Sequence, residues 1–171
     1  LHLAPGFSMR LAIAGTGNGL ADTVAVSAED AVRGVATSGW RGRSLSLGIA
    51  DAVTVLARSG AEADAAATII ANAVDLPGHA AITRVPANSL SPDSDLGDIL
   101  VTTDVGALSR GDVAAALENG LAIAQDLRRN RLIEAAALFL NGEARICGDV
   151  GEDRPAGRGL KNDMHREEMH A

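Results

Sequence analysis

Residues 48–71 constrain the fold more than any other stretch, because a strand signal, Gly48-Ile-Ala-Asp-Ala-Val-Thr-Val-Leu-Ala-Arg-Ser59, passes directly into an alanine-rich helix signal, Gly60-Ala-Glu-Ala-Asp-Ala-Ala-Ala-Thr-Ile-Ile-Ala71. The spacing predicts a strand over 52–56 and a helix over 61–74. Ser59, with Glu62 three residues on, has the spacing of a capping box, and Ala65, Ile69 and Ala73 give an apolar face at helical period. Asp64 and Thr68 are four apart, which stacks a carboxylate beside a hydroxyl one turn along. Such an oxygen pair can hold a hard cation such as Mg2+ once backbone carbonyls, water or a substrate phosphate complete an octahedral shell. The alternative is that Asp64 is solvated and Thr68 bonds back to a helix carbonyl.

A chain of 171 residues is long enough for one sizeable domain. Aromatic residues make up only 2%, with no Tyr, so the core must be built from Ala, Val, Leu and Ile. Lys and Arg number 15 against 22 Asp and Glu, a formal charge of 15 − 22 = −7. A surface of that sign repels phosphate backbones, and without aromatic platforms there is nothing on which to stack bases, so nucleic acid is not an expected partner. No apolar run approaches the ~20 residues a membrane helix needs, and the N-terminus lacks a basic region followed by an apolar core. The single cysteine, Cys147, rules out an internal disulfide framework and fits a reducing compartment, so a cytoplasmic location is expected. Leu1-His-Leu-Ala reads as the tail of a strand that begins upstream, so the chain reads as a fragment lacking an N-terminal part.

Met9 to Ala14 alternates, Thr23 to Val26 is β-branched, and Gly15-Thr-Gly-Asn-Gly between them has the chemistry of a hairpin turn. A phosphate-binding P-loop would need a Lys-Ser/Thr pair leading into a helix, and here another strand follows. Two further strands, Val32 to Ser38 and Ala52 to Leu56, flank the loop Gly39-Trp-Arg-Gly-Arg-Ser. Pro77-Gly78 stops the first helix, and a polar connection through Thr83 to Val85 leads to a short strand at Leu100-Val-Thr-Thr. Ser109, with Asp112 three residues on, caps a second long helix from about 110 to 130, with Val113, Leu117 and Leu121 on its inner side. Ala135 to Leu140 and Ala144 to Ile146 form a hairpin about Asn141-Gly142. Hairpins in place of parallel crossovers predict an α+β fold, an antiparallel sheet with two helices packed on one face. Residues 1–148 read as that single domain. From 149 to 171 the composition is too polar to fold alone and reads as a tail.

Three segments in order, Val35-Ala-Thr-Ser-Gly39, Asp51-Ala-Val-Thr-Val55 and Ala63-Asp-Ala-Ala-Ala-Thr68, resemble the ApbE family of flavin-transferring and flavin-trafficking proteins. Pro92-Asp-Ser-Asp-Leu-Gly-Asp98 and Val101-Thr-Thr-Asp-Val-Gly106 look more like a functionally uncharacterised branch of that superfamily. The resemblance implies a T-fold-like arrangement, sometimes duplicated in tandem, and a homo-oligomer. By similarity Asp64 and Thr68 match Mg2+ ligands, and Ala36, Thr37, Ser38 and Gly39 match a stretch lining a flavin nucleotide pocket. The enzymes use Mg2+ to move the FMN half of FAD onto a protein Thr or Ser, and some relatives hydrolyse FAD. They also carry His-x-x-Asp-Pro-x-Thr-Gly before the second segment. Here that interval reads Arg43-Ser-Leu-Ser-Leu-Gly-Ile-Ala50, without the His or the Pro.

The loop after Gly39 offers two more candidates for the same ligand. Arg41 and Arg43 can clamp a phosphate or carboxylate, or be solvated; Trp40 can stack on a ring such as isoalloxazine, or anchor an interface. Asp93, Asp95 and Asp98 could collect a cation, but the Gly and terminal Glu of a calcium loop are misplaced, so they read as turn caps. His165 and His170 fall in the tail, His79 has no ligand partner nearby, and Cys147 has no base beside it. The sequence thus supports two readings: a protein that binds a small phosphorylated, flavin-like ligand with Mg2+ and transfers FMN or cleaves FAD, or a non-catalytic binding or oligomer-forming module on the same fold.

Overall fold

The computed structural model describes residues 1–13 and 23–148. Its elements are β1 (Ser8–Ala12), β2 (Thr23–Ser27), β3 (Gly34–Ser38), β4 (Ala52–Ala57), α1 (Gly60–Ala73), β5 (Ile82–Pro86), α2 (Ala87–Leu90), β6 (Leu100–Val105), α3 (Arg110–Arg129), β7 (Ala135–Leu140) and β8 (Glu143–Cys147). Strands β3-β4-β7-β8 form one antiparallel sheet in that order. Every residue of β4 and β7 is buried, because successive side chains enter two different apolar layers. Val53, Val55, Ala136 and Leu138 join the layer under α1 and α3. Ala52, Leu56, Ala137 and Phe139 join Val24, Val26 and Val32 on the opposite face. The expected α+β fold, with both long helices on one face, is the observed one. The β1–β2 hairpin covers the other face, so the sheet is enclosed on both sides.

Small residues let the layers close. A Cβ at Gly120 of α3 would overlap Val74 Cγ2 and crowd Leu138 Cδ2, so glycine allows α3 to lie against both α1 and β7. Ser109 and Asp112 form a complete capping box. At α1 the Ser59 side chain accepts from the Glu62 N–H, while Glu62 returns to the Ser59 hydroxyl, not to its backbone. Asn141 and Gly142 both adopt positive φ, 49° and 79°, as a tight hairpin turn requires.

Three expectations are corrected. Ala65 and Ile69 are exposed, and the buried stripe of α1 is Ala63, Ala66, Ala67, Ile70 and Ala71. In a helix with alanine on every side, adjacent isoleucines give no direction, and contact with β3 and β4 decides which one turns inward. The supposed polar connection through Thr83 to Val85 is a strand, β5, paired with β6 and bridged by the short α2. Its register shifts between Thr83 and Arg84, a bulge that breaks the alternation a reader would look for. Leu1 to Ala4 form no strand; the chain turns at Pro5-Gly6, where Gly6 has φ 80°, before β1 begins. The glycine-rich turn at 15–19 and the tail at 149–171 lie outside the described residues.

Candidate functional site

α1 packs along β3, an edge strand, and the two start at the same level, while the C-terminal end of α1 reaches the loop between β3 and β4. Gly34 backs onto the Ser59 main chain, and the Ile49 N–H donates to Val74 O at 2.8 Å. Thr68 is nine residues past Ser59, about 13 Å along the helix, and Ser38 is four past Gly34, about 13 Å along the strand. Thr68 is therefore level with the end of β3, and Asp64 with its middle. Asp64, Thr68 and Asn72 form one row at intervals of four. Asn72 Oδ1 accepts the Leu47 N–H at 3.0 Å and lies 3.3 Å from Ser46 Oγ. That row therefore runs toward the loop connecting β3 to β4, whereas Ile70 and Val74 face α3 across Gly120.

Both Asp64 and Thr68 are exposed, and neither side chain has a hydrogen-bond partner among the described residues. Thr68 does not bond back to a helix carbonyl. The pair supplies two free hard oxygen donors of the type Mg2+ takes, and a full shell would need backbone, water or ligand oxygens. No group of three or more His, Cys, Asp or Glu capable of holding a metal occurs among the described residues.

Ala36, Thr37, Ser38 and Gly39 divide between the faces of the sheet. Ala36 packs toward the helices, and Ser38 shares its side of the pleat. Thr37 points the other way, its hydroxyl 2.8 Å from that of buried Thr54. On the helix side, the side chain nearest in level to Thr68 is therefore Ser38. Gly39 has no room for a Cβ against Asp51 O, which lets Trp40 N–H reach Ala50 O at 3.0 Å.

Trp40 and Arg41 are already in contact with each other. The Arg41 guanidinium lies 4.5 Å from the Trp40 ring centroid, and its Nε donates to Asp51 Oδ1 at 3.0 Å. One face of the indole is thus covered, and Arg41 retains only its terminal nitrogens for an anion. Trp40 Nε1 is buried and has no hydrogen-bond partner among the described residues. An unsatisfied buried donor costs about 1–3 kcal/mol, and an acceptor brought by a ligand would remove that cost. Asp51 and Asn72 were missed from sequence. Asn72 continues the four-residue row, which was a usable signal; Asp51 is a single acid at the head of an apolar strand, which was not.

The remaining candidates resolve without a site. His79 Nδ1 accepts the Ala81 N–H at 3.2 Å, and its Nε2 is 3.5 Å from Asp112 Oδ2. Asp98 accepts from Asn88 at 2.8 Å and belongs to no metal-holding cluster. Cys147 is buried, and burial pushes its thiol up, against a smaller opposing effect of Arg128. His165 and His170 lie outside the described residues. No helix among the described residues is long and apolar enough to cross a membrane.

The family model described as AbpE bacteria matches residues 1–146. The chain belongs to the AbpE bacteria family. Neither the curated proteins nor the solved structures provide a match. The family name resembles ApbE, and the match runs from before β1 into β8, including all three segments that carry the ApbE-like motifs in this AbpE-family chain.

Proposed function

We propose that this AbpE-family protein binds a flavin-like nucleotide together with Mg2+ along the open side of α1 and the end of β3. The observation that carries the reading is the Asp64–Thr68 pair, free among the described residues, with Thr68 level with the end of β3 and the row continuous through Asn72 with the Trp40-bearing loop. Asp64 and Thr68 would hold the cation, and Trp40 and Arg41 would lie at the margin of the nucleotide. A bound Mg2+ neutralises charge on pyrophosphate oxygens, the chemistry that FMN transfer from FAD or FAD cleavage requires. Within this chain Asp64 supplies negative charge to position the cation, Thr68 an uncharged oxygen, and Arg41 two terminal nitrogens that can orient a phosphate. The homo-oligomer implied by the resemblance belongs to the same proposal, and molar mass in solution tests it.

One observation favours binding without turnover. The interval 43–50, where the flavin transferases carry His and Pro, is here largely a packing segment: Ser46, Gly48, Ile49 and Ala50 are buried, and no titratable group follows Arg43 before Asp51. The deciding experiment titrates FAD into the protein with and without Mg2+ and assays FMN release. Mg2+-dependent binding lost in Asp64→Ala supports the proposal, and turnover separates enzyme from binding module. Absence of FAD and FMN binding under both conditions overturns it.

A further inference from the structure

The geometry points to a second ligand site, for a small molecule bearing a doubly charged phosphate group, at the opposite end of the sheet from Gly39. A cavity of about 580 Å3 opens there, where β4 ends, β7 begins and α3 terminates. That volume falls within the range of small-molecule sites, about 300–1,000 Å3. Its walls carry Arg58, Arg128, Arg129 and Arg131 over a floor that includes Ile133 and Cys147. In a chain of net charge −7, four guanidinium groups about one cavity make a local reversal of sign. The length of β4 places it about 20 Å from Asp51, so it is not part of the proposed flavin site.

The charge is only partly spent inside the protein. Arg58 Nε pairs with Glu134 Oε1 at 3.1 Å, and Arg129 pairs with Asp126. Arg128 Nε donates to a neutral carbonyl, Glu134 O, at 3.2 Å. The Arg131 guanidinium has no hydrogen-bond or ion-pair partner among the described residues. Four positive groups less two carboxylates leave 4 − 2 = +2, the complement of a phosphate monoester, which carries about −1.5 to −2 near neutral pH. A single carboxylate would leave charge uncompensated. Arginine forks also match phosphate oxygens two at a time.

The backbone at Arg131 is a separate indication. α3 ends in a Schellman motif: Leu132 N–H donates to Leu127 O at 3.0 Å, and Arg131 N–H to Arg128 O at 2.9 Å. These bonds occupy helix carbonyls that would otherwise repel an anion. Arg131 sits at the position that glycine normally fills, with φ 59°. Fold stability alone favours glycine there, while a phosphate site favours arginine.

The test is calorimetric titration of the full chain at low salt with inorganic phosphate and with inorganic pyrophosphate, citrate serving as the control polyanion. One saturable site for a phosphate probe, stronger than for citrate, is expected. Arg131→Gly should weaken it about tenfold, the effect of losing one charge-assisted hydrogen bond, while the melting temperature is unchanged or raised. Arg58→Gln should weaken it as well, and decides the matter if Arg131→Gly misfolds. Asp64→Ala, which removes the proposed cation ligand, should leave phosphate binding intact, so the two sites fail independently. No saturable phosphate binding, citrate binding as tightly, or wild-type affinity in both arginine variants overturns the proposal.

Discussion

Asp51 Oδ2 accepts the Asn141 N–H at 2.7 Å, joining the start of β4 to the turn between β7 and β8, residues ninety apart in sequence. The other oxygen of the same carboxylate holds Arg41. Asp51→Ala should therefore lower stability by about 1–3 kcal/mol in urea unfolding, because a backbone donor loses its charged acceptor. It should also release the Trp40–Arg41 stack, seen as a shift in tryptophan emission. An unchanged midpoint and spectrum would contradict this.

Ile70 and Ile69 offer a direct check of how α1 is rotated. Ile70→Ala removes a fully buried side chain and should cost about 2–5 kcal/mol. Ile69→Ala, at a site 52% exposed, should stay within about 0.5 kcal/mol of the parent. The reverse ranking in chemical denaturation would place the wrong face of the helix on the sheet.

Gly120→Ala should destabilise by about 1–3 kcal/mol through overpacking against Val74 and Leu138. Ordinary helix propensity predicts the opposite sign, a gain of up to about 1 kcal/mol. The sign of the change in melting temperature distinguishes close packing from local preference.

Asp112 gives a pH dependence. Its carboxyl is held below the ordinary range chiefly by the Ser109 hydroxyl at 2.6 Å, then by the Ser109 N–H at 3.1 Å, with His79 adding a smaller effect. A depressed carboxyl contributes stability that is fully present above its unfolded value and is lost as pH falls through the folded one. Melting temperatures between about pH 6 and about pH 3 should therefore fall less steeply in Asp112→Asn than in the parent. Parallel profiles would remove Asp112 from the acid response.

Asp64→Ala separates ligand binding from folding. Asp64 is exposed in mid-helix with no partner among the described residues, and alanine is the better helix former, so stability should hold or rise by about 0.5 kcal/mol. Mg2+-dependent FAD binding, measured on the same sample by fluorescence, should fall. A loss of stability equal to the loss of binding would show that Asp64 is structural.

The sequence made some elements legible and hid others for physical reasons. Both long helices announced their starts through Ser59 and Ser109, because capping is local chemistry that needs no tertiary context. The Asn141-Gly142 turn was equally plain, since few residues accept its backbone angles. The face of α1 was not legible, because alanine satisfies either side and the choice falls to β3 and β4. Asp64 and Thr68 could be paired by spacing, yet their openness to solvent depends on which isoleucine turns inward. The arginine cavity gave no signal at all. Arg58 and Arg131 stand seventy-three residues apart, and only the antiparallel return of β7 beside β4 brings their neighbourhoods together.

With β4 and β7 walled in by the helices above and the first hairpin below, neither strand has an outward row of side chains to vary freely. Their main-chain amides should be the last in the molecule to exchange with heavy water, opening only when the whole fold opens. A lesion on either side of that partition should thus be sensed on the other, so the hairpin acts as structure and not as an ornament on a finished domain.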